Sequence, residues 1–172
     1  MAAQQHHGHM VIDASVLIDY RDSDRTVLGL ISAHVGQLCI PSPVLGEVLH
    51  MTEDDCASLG LYVVEPTIDH LLSVPRAPGP LSFQDHLSLI VARTNGWCCL
   101  TNDGRLRKEC KAQGVAVMWG LEPLGILVAA GVVSAQHARN VAVAVHHANS
   151  RFITREIVRR FLEGIGILEF GF

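Results

Sequence analysis

Short apolar runs alternate with amphipathic segments through the first 118 residues, and no tight hairpin signal joins one run to the next. This alternation limits the fold more than any other feature. Strands linked through helices form βα units and gather into a parallel sheet. Strands are expected at residues 10–13, 37–40, 61–64, 97–101 and 115–118. Between them, residues 14–20 and 26–34 suit helices. A further helix is expected after Pro41 and Pro43, where Val44, Val48 and Met51 share one face. Residues 67–74 read as a short helix. Ser82 opens a longer one, whose stripe of Phe83, Leu87, Ile90 and Val91 faces a core and ends at Gly96. Asn102 is expected to cap a helix that runs to about Ala112. Pro75, Pro78, Gly79 and Pro80 mark a loop. After Trp119 the pattern turns helical over residues 121–130, 135–147 and 154–164.

A chain of 172 residues supports one full core and is short for two. The expectation is a single α/β domain of three layers, α/β/α, spanning 10–172. Its core is 10–118, and 119–172 forms a helical extension on the same core. Residues 1–9 read as a tag remnant or disordered start, in which His6, His7 and His9 have no role. Hydrophobic residues make up 49% and charged ones 17%, which excludes a disordered chain. The net charge of −4 shows no basic excess, yet a site that is itself acidic is compatible with that balance. The apolar run 124–133 contains Gly125 and Gly131 and is too short to span a membrane. The start of the chain lacks the apolar stretch of a signal peptide. None of Cys39, Cys56, Cys98, Cys99 and Cys110 forms a C-x-x-C pair. Cys39, Cys98 and Cys99 read as small buried hydrophobes, in keeping with a reducing, cytoplasmic setting.

Four acids stand at segment ends: Asp13 in VIDAS, Glu47 in PSPVLGEVL, Asp85 in LSFQDHLSL and Asp103 in LTNDGRLR. Strand ends of a parallel sheet collect along one edge, where ligands of such folds bind. Carboxylates crowded together repel and raise one another's pKa, and a hard divalent cation removes that cost. An all-oxygen set suits Mg²⁺ or Mn²⁺ rather than Zn²⁺. Each acid also has a structural reading. Ser82-x-x-Asp85 fits a capping box, Asp103 complements a helix dipole, and Glu47 suits a solvent-facing position. Asp13 is the hardest to explain structurally, because it interrupts an apolar run. Ser15 and Thr101, each two residues from an acid, are hydroxyls placed to orient a ligand or to cap a helix. Asp22-x-Asp24 resembles a metal pair but falls where a turn is expected.

The four segments VIDASVLIDY, PSPVLGEVL, LSFQDHLSLIVA and LTNDGRLRKECKAQGV together resemble the PIN-domain ribonucleases, close to the bacterial and archaeal toxins of the VapC kind. The resemblance covers about residues 10–118. It implies an α/β/α fold with a central parallel sheet and Mg²⁺- or Mn²⁺-dependent cleavage of RNA. By position, Asp13, Glu47, Asp85 and Asp103 would be the catalytic, metal-binding acids, supported by the hydroxyls of Ser15 and Thr101. It further implies a homodimer and an antitoxin protein as partner. The segment WGLEPLGILVAAGVVSAQ and the helices after it extend beyond the compact toxin.

Arg105, Arg107, Lys108 and Lys111 share the helix after Asp103 and are candidates for holding RNA phosphates, or else a solvated basic face. Arg151, Arg155, Arg159 and Arg160 form a second basic group. His146 and His147 are adjacent on a helix and point apart, and His86 adjoins Asp85. Two other classes remain for comparison: a non-toxin PIN nuclease in RNA processing, and a catalytically silent PIN-fold binding module. A phosphotransfer fold with a nucleophilic Asp-x-Asp pair is disfavoured by Ser15, which stands where the second Asp belongs.

Overall fold

A computed structural model describes residues 8–77, 79–168 and 171. Its strands are β1 (His9–Ile12), β2 (Gln37–Pro41), β3 (Tyr62–Val64), β4 (Cys98–Leu100) and β5 (Val117–Met118). They form one sheet in the order β3-β2-β1-β4-β5, with every neighbouring pair parallel. The helices are α1 (Ala14–Asp24), α2 (Thr26–His34), α3 (Ser42–Leu45), α4 (Glu53–Ser58), α5 (Ile68–Leu72), α6 (Phe83–Asn95), α7 (Gly104–Ala112), α8 (Glu122–Ala129), α9 (Ala135–Ala148) and α10 (Arg155–Gly164).

The period-two pattern of the strands divides the core into two. Met10 and Ile12 of β1 face one layer together with Leu38, Ile40, Leu100 and Met118. Against them pack Leu17 of α1, Leu28 and Ile31 of α2, Leu124 of α8, Val141 of α9 and Leu162 of α10. Val11 and Cys99 face the other way, onto Leu87 and Val91 of α6 and Leu106 and Cys110 of α7. The sheet is thus covered by helices on both faces. This is why its strands read as continuous apolar runs. The helical extension joins the first layer and shares its core. All five cysteines are free.

Two local expectations are corrected. The helix anticipated through Met51 ends at Leu45, so Glu47 lies in a run of turns instead of one or two turns into a helix. Gly46 weakens continuation, His50 adopts a positive φ of 58°, and the Arg21 guanidinium donates to the Leu49 carbonyl. A new helix, α4, then starts from a capping box in which Thr52 accepts from Asp55 N and the Asp55 carboxylate accepts from Thr52 N. The second correction concerns α7, which is capped by Asp103 and not by Asn102. His9 begins β1 in register with Gln37, and its ring stacks on Trp97 at 4.9 Å. His6 and His7 lie outside the described residues.

Because Leu124 and Leu28 are fully buried in one cluster, the extension and the sheet should unfold together. Leu124→Ala is expected to lower stability by about 2–5 kcal/mol. Urea denaturation should show one transition shifted as a whole. Two separated transitions, with only the later helical signal affected, would contradict a shared core.

Candidate active site

In this strand order the chain leaves β1 in one direction to build β2 and β3, and returns on the other side to build β4 and β5. The crevice between the carboxyl ends of β1 and β4 is therefore the topological switch point, where open α/β sheets bind ligands. Asp13 N donates to Leu100 O at 3.0 Å, which carries the β1–β4 pairing one residue beyond the strands. Asp13 and Thr101 then face each other across that crevice.

Asp13 occupies the N-cap position of α1, yet its side chain does not cap the helix. Its Oδ2 accepts from Ser15 Oγ at 2.7 Å and from Thr101 Oγ1 at 2.9 Å. Thr101 Oγ1 in turn accepts from Asp103 N at 3.0 Å, so one buried hydroxyl links the first acid to the backbone of the last. Burial pushes the Asp13 carboxyl above its ordinary range. The Ser15 and Thr101 hydroxyls pull it down, and the charge of Asp85 pushes it further up.

Glu47 stands exposed in the turn after α3, and partial burial followed by the charges of Asp85 and Asp13 pushes its carboxyl up. Three of the four anticipated acids thus act on one another electrostatically. Asp85 is half-buried at the start of α6, and its Oδ2 accepts from Ser82 N at 3.0 Å, which completes the capping box read from the sequence. Asp103 turns Oδ1 to its own helix, where it accepts from Arg105 N at 2.7 Å and Leu106 N at 2.9 Å. Asp13, Glu47 and Asp85 thus gather at this sheet edge, and Asp103 joins them through the bond from its backbone N to Thr101 Oγ1. Among the described residues, however, no group of three or more His, Cys, Asp or Glu is drawn close enough to hold an ion.

The other candidates separate clearly. Arg105, Lys108 and Lys111 are exposed on α7, while the Arg107 guanidinium lies 3.0 Å over the Trp119 ring. Asp22 pairs with Arg21, and Asp24 accepts from Thr26 and contacts His137 at 2.8 Å, so that acidic pair serves structure. Arg159 and Arg160 are engaged by Glu156, and Arg159 also by Glu163. His146 Nδ1 meets Ile153 O at 2.6 Å.

Sequence reasoning missed the role of a buried carboxylate, Asp19. Asp19 is buried inside α1, its Oδ1 accepting from Asn149 Nδ2 at 2.9 Å and its Oδ2 from Asn102 Nδ2 at 3.4 Å. Asn102, freed from capping α7, accepts at Oδ1 from Gly120 N at 2.9 Å, and Tyr20 donates its hydroxyl to Gly120 O. A signal was present: Asp19 falls three residues after Val16 and beside Tyr20, which puts a charge within the buried stripe of α1.

Burial pushes Asp19 up to about 6, against two amide donors that pull it down. The folded chain thus binds this proton more tightly than the unfolded chain. The associated stability is complete below about 3.8 and is lost as pH rises through about 6. The thermal midpoint of the parent should accordingly fall relative to Asp19→Asn between about pH 4 and about pH 6. A constant difference over that interval would show that burial does not govern this carboxyl.

No family model matches the chain, and no curated protein matches it. Among solved structures, it is similar to a PilT N-terminus (PIN) domain protein from the hyperthermophilic archaeon Sulfolobus solfataricus P2, with a TM-score of 0.51 and 17% identity over 67% of this chain and 90% of that one. With its all-parallel five-stranded sheet flanked by helices, the chain has a PIN-like α/β/α fold.

Proposed function

We propose that the chain is an endoribonuclease that hydrolyses RNA phosphodiester bonds with Mg²⁺ or Mn²⁺ at the β1–β4 edge. The observation that carries this reading is the Asp13 carboxylate: buried at the switch point, held by two hydroxyls, and raised by burial and by Asp85. The group fits a hard cation chemically, because its neighbours are carboxylates and hydroxyls. Asp13, Glu47, Asp85 and Asp103 would hold the ion. When bound, such an ion activates water and stabilises charge building on the phosphodiester. Thr101 and Ser15 fix the direction of the Asp13 carboxylate, and Thr101 also fixes the start of the loop that carries Asp103. Arg105 and Lys108, exposed on the helix that Asp103 caps, would meet the RNA backbone.

Motif resemblance supports a toxin role, with a homodimer and an antitoxin partner. A catalytically silent binding module is the second reading. The absence of a close ligand group among the described residues favours it. Calorimetry separates the two, since only the nuclease needs to bind Mn²⁺.

Purified protein should cut single-stranded RNA with Mn²⁺ and stop when chelator is added. Asp13→Asn and Asp103→Asn should each lower kcat by roughly 100-fold or more, the scale of losing an electrostatic partner of the transition state. Cleavage by both variants at the parental rate would reject this site. Expression of the parent should arrest growth if it is a toxin, and Asp13→Asn should relieve the arrest.

A further inference from the structure

The helical extension is linked through Asp19 of α1 to the loop that carries Thr101 and Asp103. We propose that Asn149 and Asp19 are positioning residues for that loop, an inference that rests on the nuclease reading of the site. Asn149 is the residue that ends α9, and it donates to Asp19 of α1. Asp19 accepts from Asn102, whose two neighbours in sequence are Thr101 and Asp103. Asn102 accepts from the backbone of Gly120, in the turn after β5. Four separate segments thus meet at one amide and one carboxylate.

The geometry gives Asn102 a single orientation. Its Oδ1 faces a backbone N–H and its Nδ2 faces a carboxylate, so a flipped amide would set donor against donor and acceptor against acceptor. Gly120 is required by the same closeness: a Cβ there would lie 2.5 Å from Asn102 Nδ2 and 2.7 Å from its Oδ1. Val16, Leu121 and Val145 wall the network. An amide bonded at both ends constrains the backbone on either side of it. On one side is the hydroxyl bonded to Asp13, and on the other the carboxylate that caps α7. For stability alone, an apolar group in place of Asp19 would avoid the cost of burying a charge. The network's position between two site residues gives that cost a function.

The test uses the full chain with Asn149→Ala, Asp19→Asn and, as control, Gln136→Ala. Gln136 lies on the same helix and bonds Asn140 on the surface. The readouts are kcat and KM on single-stranded RNA, Mn²⁺ affinity by calorimetry, and the thermal midpoint. Both network variants should lose about tenfold in kcat and in Mn²⁺ affinity with KM within about twofold, as outer-shell substitutions do, while the control matches the parent. Asn149 is half-exposed at a helix end, so Asn149→Ala decides the matter if Asp19→Asn does not fold. Parental kcat and Mn²⁺ affinity in a folded Asn149→Ala protein would overturn the positioning role while leaving the nuclease reading intact. A parent that neither binds Mn²⁺ nor cuts RNA would overturn both.

Discussion

The hydrogen bond from Thr101 Oγ1 to Asp13 Oδ2 crosses the boundary between the two halves of the sheet. It is buried, and it joins residues far apart in sequence. Its existence depends on β1 and β4 being parallel neighbours in the stated register, because only then do both chains end at the same level. A carboxylate taken out of water in this way needs donors. Ser15 supplies a second, from the first turn of the helix that Asp13 begins. The strand order, the direction of α1 and the direction of the loop after β4 all meet in this one acid.

Much of the architecture was legible because apolar periodicity is dense in this chain. The helix at residues 26–34 matches α2 (Thr26–His34), and Gly96 ends α6 in the left-handed conformation that glycine permits. The errors arose where local signals competed. Val44, Val48 and Met51 are all buried, but only Val44 lies in a helix, and non-helical chain after α3 delivers Val48 and Met51 to the core. Asn102 and Asp103 are both good caps. Tertiary contacts decided between them, since the Asn102 amide had partners in Gly120 and Asp19. A single sequence does not display partners supplied by segments over a hundred residues away, such as Asn149 for Asp19.

The extension illustrates the same limit. Its helices were readable from the sequence, while their caps, Ser134 for α9 and Thr154 for α10, were not. Which face of the sheet they would cover was not readable. Packing of α9 against α1 settles it, because that placement puts the end of α9 over the only buried charge in α1.

Capping and ligation were set against each other for Asp85 and Asp103, and the geometry removes part of that opposition. A carboxylate has two oxygens with several lone-pair directions. The described side-chain bonds fall on Oδ2 of Asp85, on Oδ1 of Asp103 and, from the two hydroxyls, on Oδ2 of Asp13. A helix start thus uses one oxygen to fix the side chain and leaves the other directed by that bond. Rotamer freedom is spent during folding instead of during ligand capture, which lowers the entropic cost of assembling a site from three distant segments.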